Sequence, residues 1–212
     1  MNTIKRIACF ALALVLALPM FTSCANTFVN NAGNMTDKKT GITYTYVYTS
    51  VYQPVAVSTE SYIIWKHNNV KINYYPIEGL EPTEWLYSDY GELLCSTGEV
   101  LPGLDGFGAK GAFICLEGTS AVSLFEIKDK ATVDRIVEAY TTGERENYPS
   151  DPSGATFSLK FVSDKYPEFY YSLILIAYAD STYLYDRLNG IYVNMGDLFD
   201  EYDLFGTYGY DD

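Results

Sequence analysis

The sequence is poor in histidine and in positive charge. Its 212 residues hold one His and 14 Lys+Arg against 27 Asp+Glu, a formal net charge of −13. With His67 alone, every motif that needs two imidazoles is excluded, the His-Glu-x-x-His zinc helix among them. So few cations argue against nucleic acid as a partner, because phosphate binding needs clustered Lys and Arg. Four cysteines occur with no Cys-x-x-Cys spacing, which removes the dithiol redox motif. Gly-x-Ser-x-Gly and Ser-x-x-Lys are both missing, and serine hydrolysis loses its usual signatures.

What is present describes a folded chain. Hydrophobic residues make up 48% and charged residues 19%, an ordinary globular composition for one domain. Tyrosine is the anomaly, with 21 copies in a chain whose aromatics reach 16%.

Lys5 and Arg6 precede an unbroken apolar run from Ile7 to Leu18. Spanning hydrocarbon takes about 20 such residues, so this run suits the core of a signal peptide instead. Phe21-Thr22-Ser23-Cys24 follows. This tetrapeptide resembles the lipobox of bacterial lipoproteins: a bulky apolar residue, two small ones and a cysteine. The resemblance covers residues 1–24 only, and Phe21 stands where Leu is usual. It implies removal of residues 1–23, lipidation of the Cys24 thiol and an extracytoplasmic domain held to the membrane by its acyl chains. The alternative is plain secretion, with Cys24 incidental.

Removing residues 1–23 takes Lys5 and Arg6 away, leaving 12 Lys+Arg against 27 acids, or −15. Such a body is repelled by anionic head groups, so acyl chains and not a basic patch would provide the attachment.

Residues 24–40, rich in Asn, Thr and Gly, read as a flexible tether. Residues 41–212 read as a single α+β domain, mainly antiparallel sheet with one or two amphipathic helices packed on it, and a sub-domain junction near Asp129 as an option. Tyr44, Tyr46 and Tyr48 alternate with Thr and Val at strand period. Hairpins are expected around residues 67–69, 89–91, 117–119 and 189–190. Asp129 caps a helix whose Val133, Ile136, Val137 and Tyr140 form one stripe, and Gly143 stops it. Asn194 opens a second, shorter helix through Phe205.

Few residues suggest chemistry. Residues 106–111 spell Gly-x-Gly-x-x-Gly, but a strand follows where a dinucleotide site needs a helix. This stretch therefore reads as part of a flexible loop over 102–111. Cys95 and Cys115 are a candidate disulfide, with two buried free thiols as the equal alternative. The acids at the C-terminus read as a solvated face. Catalytic, cofactor and metal residues are therefore assigned to none. Tyr44, Tyr46 and Tyr48, in a stripe extended by Tyr52, are the expected ligand contacts, with Tyr183 and Tyr185 as a second stripe. The function expected is non-catalytic binding of a protein, glycan or cell-wall component. A surface hydrolase with paired carboxylates and a subunit of an envelope complex are the rivals.

Overall fold

The computed structural model describes residues 28–31, 34–47, 51–67, 69–116, 122–147, 154–187 and 189–204. Cys24 and Tyr48 lie outside the described residues. The chain is mostly antiparallel β-sheet with few helices. Two sheets divide it.

The first sheet contains β1 (Phe28–Asn31), β2 (Asn34–Asp37), β3 (Thr43–Val47), β5 (Ile63–His67), β6 (Val70–Pro76), β7 (Trp85–Ser88) and β8 (Leu93–Cys95), in the order β1-β2-β3-β8-β7-β6-β5. Its hairpins follow from alternation plus turn residues. His67 faces Val70 across the expected tip, and Gly91 takes φ +80 in the turn between β7 and β8. The sheet is rolled. The Tyr46 and Tyr74 hydroxyls, on β3 and β6, lie 3.5 Å apart with two strands between them. Flat strands would set them about 14 Å apart. The concave face encloses its own core of Met35, Tyr44, Ile63, Tyr74, Leu86 and Leu94.

The second sheet runs β10 (Ser123–Ile127), β9 (Ala109–Leu116), β12 (Ala155–Ser163), β13 (Phe169–Ala177), β14 (Thr182–Asp186), β15 (Ile191–Asn194) and β11 (Arg145–Glu146). Its eighth strand, β4 (Tyr52–Pro54), pairs with the first residues of β13, on which Phe169 faces Pro54 and Tyr171 faces Tyr52. Coming just after β3, β4 stitches the two sheets together.

Helix α1 (Leu104–Phe107) is a single turn, and α2 (Lys130–Thr142) is the one helix longer than that among the described residues. Asp129 caps α2 as expected, its carboxylate accepting Thr132 N at 2.9 Å and Thr132 Oγ1 at 2.8 Å. Val133 and Ile136 are buried against the second sheet and Tyr140 is half-buried. Gly143 ends the helix for want of space, since a Cβ there would lie 2.4 Å from Ala139 O and 2.6 Å from Val193 Cγ1. The main core fills the space between α2, the second sheet's inner face and Trp85, Leu93 and Cys95 of the first sheet.

Four expectations need correction. The segment 24–40 is not a tether throughout, because it contains β1 and β2. Its polar composition is that of a strand whose outward residues bond sideways, Thr36 Oγ1 to Thr43 Oγ1 at 2.9 Å and Thr45 Oγ1 donating to Asn34 Oδ1 at 3.0 Å, while Met35 and Asp37 point in. The glycine stretch is not a flexible loop: it holds the end of α1, with Phe107 buried and stacked on Tyr166, and the start of β9. Apart from β4, which pairs with β13, the division between the sheets falls between β8 and β9, while Asp129 sits within the second sheet's layer. Asn194 does not open a helix, since its Oδ1 accepts Gly196 N in a turn; from Asn194 to Asp203 the described residues hold one 3-10 turn, Asp200–Tyr202, and Phe205 lies outside the described residues.

Candidate functional site

The two tyrosine stripes meet different fates. In the first, Tyr44 is fully buried in the rolled sheet, its hydroxyl donating to Pro82 O at 2.9 Å. Tyr52 is buried as well and donates to Pro102 O at 2.7 Å. Burial raises both phenols well above their ordinary value, since ionising them there would strand a charge. Tyr44 is therefore a core residue and not a ligand contact. Tyr46 alone of the three expected contacts is described and half-buried. It shares the mouth of the roll with Tyr74, whose hydroxyl lies 3.2 Å from Glu92 Oε2.

The second stripe stands on the side of the sheet away from the main core, where Tyr192 and Ile176 are buried and Tyr183 and Tyr185 half-buried. Pairing places Tyr185 opposite Tyr192 and Tyr183 opposite Asn194, while Ile174 and Ile176 of β13 sit opposite Tyr185 and Tyr183. All of these project from the side of the sheet away from α2. No described helix packs there, and the face is built from strand residues alone. Tyr185 and Tyr192 stack in parallel, centroids 4.1 Å apart and planes within 6°. Tyr183 meets Tyr178 edge to face at 5.9 Å. Tyr178, Tyr183 and Tyr185 are half-buried, each braced by a neighbour and still reachable.

Polar groups punctuate this face. Asn194 Nδ2 donates to the Tyr183 hydroxyl at 3.4 Å. Across β13 and β12 lie Ser172, Lys160 and Ser158, with Lys160 flanked by Phe113 and Ser172. Lys160 is only 5% exposed. Its ammonium sits 5.5 Å from the Tyr170 ring centre, and among the described residues it makes no ion pair or hydrogen bond.

Cys95 and Cys115 are both free and buried. Cys95 faces the main core, whereas Cys115 follows the core residue Ile114 and so points to the opposite face of β9. The second sheet thus separates the thiols, and the expected disulfide does not form. The glycine stretch offers no phosphate cradle either, because α1 precedes the strand and no helix follows it. No group of His, Cys, Asp and Glu among the described residues is arranged to hold a metal.

No family model, curated protein or solved structure matches this chain. The assignment of function therefore rests on the site's own chemistry.

Proposed function

We propose that this protein is a bacterial lipoprotein, anchored through Cys24 outside the cytoplasm, whose domain binds a neutral glycan without altering it. The observation that carries the reading is the contiguous set of Tyr178, Tyr183, Tyr185 and Tyr192 on one sheet face that no described helix covers. Flat rings offer apolar area to the C–H faces of sugars, and rings held by neighbours lose little freedom on binding. Asn194, which is exposed, supplies a directional polar contact that distinguishes one sugar from another. The charge of −15 on the cleaved chain repels anionic ligands at long range and leaves neutral ones unaffected.

The test is a panel of neutral glycans and peptidoglycan fragments, read by calorimetry against the wild type, Tyr183→Ala, Tyr185→Ala and Tyr46→Ala. Losses of roughly tenfold, about 1.4 kcal/mol, in the first two variants and not in the third support the reading. Losses confined to Tyr46→Ala would move the contact to the mouth of the rolled sheet. Capture of a protein partner with no glycan bound would transfer the same face to protein recognition.

A further inference from the structure

A cleft of about 260 Å³ opens on the inner side of the second sheet, remote from the tyrosine face, where the end of α2 meets α1 and the β14–β15 turn. Buried Tyr171 and Asp186 form its floor, Tyr140 and Leu104 its walls, and exposed Arg145 and Asp105 its rim. The floor is built, not accidental. Asp186 is 2% exposed, and its carboxylate accepts Asn189 Nδ2 at 2.6 Å, Asn189 N at 3.2 Å and the Tyr140 hydroxyl at 3.4 Å. Those bonds fix the carboxyl group at the base of the cleft.

Two donors remain to be used. Tyr171 is 5% exposed; the Leu104 backbone N–H donates to its hydroxyl oxygen, and the hydroxyl hydrogen has no acceptor among the described residues. Burial pushes its phenol up to about 12, so the donor is retained at any ordinary pH. The Arg145 guanidinium makes no ion pair among the described residues, leaving its planar set of N–H groups for a carboxylate. Both signs of charge line the cleft. Arg145 acts on Tyr140, and Asp105 acts on Tyr171.

We propose that this cleft binds a free α-amino acid with a small apolar side chain. Its carboxylate meets Arg145 and the Tyr171 hydroxyl, its ammonium faces Asp105 and Asp186, and its side chain lies on Leu104. A simple anion would confront two aspartates, and a simple amine would confront Arg145, so a ligand carrying both charges fits where either half does not. The volume lies below the range of drug-sized ligands and suits a molecule of this size.

The experiment is calorimetry on the full-length protein in detergent micelles, titrated with L-valine and separately with its two halves, isobutyrate and isobutylamine, and with glucose. L-valine binding, with each half roughly tenfold weaker or more, is the expected result. Arg145→Gln and Asp105→Asn, both at exposed positions, should each weaken L-valine several-fold with the thermal midpoint unchanged, and Tyr185→Ala should leave it untouched. The proposal is overturned by no L-valine binding at millimolar concentration, by glucose binding in its place, by a half that binds as well as the whole, or by affinity that ignores both rim variants.

Discussion

The Tyr74 hydroxyl on β6 meets Met35 Sδ on β2 at 3.3 Å, with three strands of the same sheet between them. On a flat sheet the two would stand about 19 Å apart. The contact closes the roll, and the Tyr74 ring is fully buried inside it. Tyr74→Ala should therefore cost about 3–5 kcal/mol in urea unfolding, the usual range for emptying an aromatic site. Tyr74→Phe keeps the ring and should cost about 1 kcal/mol. Equal costs would show that the hydroxyl, and not the ring, holds the roll.

Alkali should unfold this protein in a characteristic way. Burial raises the phenols of Tyr44, Tyr52, Tyr74 and Tyr140 far above the usual value, and that of Tyr171 to about 12. Unfolded tyrosines ionise near pH 10. Above that pH the folded state binds more protons than the unfolded state, so this contribution to stability is complete below pH 10 and lost as pH rises through the folded values. Ultraviolet titration should show one group of tyrosines ionising near 10 and a second appearing only in step with unfolding. A single smooth transition near 10 would contradict the buried assignments.

Cys95 and Cys115 should migrate as thiols. Mass spectrometry without reduction should find both alkylated after denaturation and no cross-linked peptide, because the second sheet lies between them. In the native state Cys115 should react slowly, since burial pushes its thiol up, partly opposed by the Lys160 charge. Rapid native modification of Cys115 would show that the outer face is looser than described.

Lys160→Met should stabilise the fold by roughly 1 kcal/mol, for a buried ammonium with no acceptor among the described residues is costly and its attraction to the Tyr170 ring offsets only part of that cost. Destabilisation would mean that the ammonium has a stronger partner than Tyr170.

Metabolic labelling with a palmitate analogue should mark the wild type and not Cys24→Ala. Equal labelling of the two would remove the anchor from the proposal. With β1 starting at Phe28, a lipid on Cys24 would hold the rolled sheet close to the bilayer and not at the end of a long arm.

Local pattern made much of this fold legible. Ile63 to Tyr75 reads as a hairpin from alternation and a polar tip, and Asp129 announces α2 because its carboxylate has the right reach. The polar strands β1 and β2 were hidden, since Asn and Thr serve equally well in a loop and in a sideways hydrogen-bonded ladder. The site divides in the same way. Tyr44 and Tyr183 carry the same alternation, which tells which residues share a side but not whether that side is the inside of a roll or an open plane. That difference depends on Met35 and Tyr74 meeting across the sheet, a contact with no local signal. The amino-acid cleft was equally silent, because Asp105, Tyr140, Arg145, Tyr171 and Asp186 come from five separate elements or turns.

The pairing of β4 with β13 has a consequence for the order in which the chain matures. Tyr52 emerges early in synthesis, yet its partner Tyr171 is made more than a hundred residues later. The hairpins β5–β6 and β7–β8 close over short distances and are free to form while the rest is still being added. Val51 and Tyr52 lack their β13 partners through that whole interval, because residues 169–172 do not yet exist. A chain halted before residue 169 would thus present every strand of the first sheet beside an unfinished second sheet, with Val51 and Tyr52 lacking their β13 partners, a natural target for chaperones and proteases. The seam between the sheets can therefore close only after Phe169, Tyr170 and Tyr171 of β13 have been made.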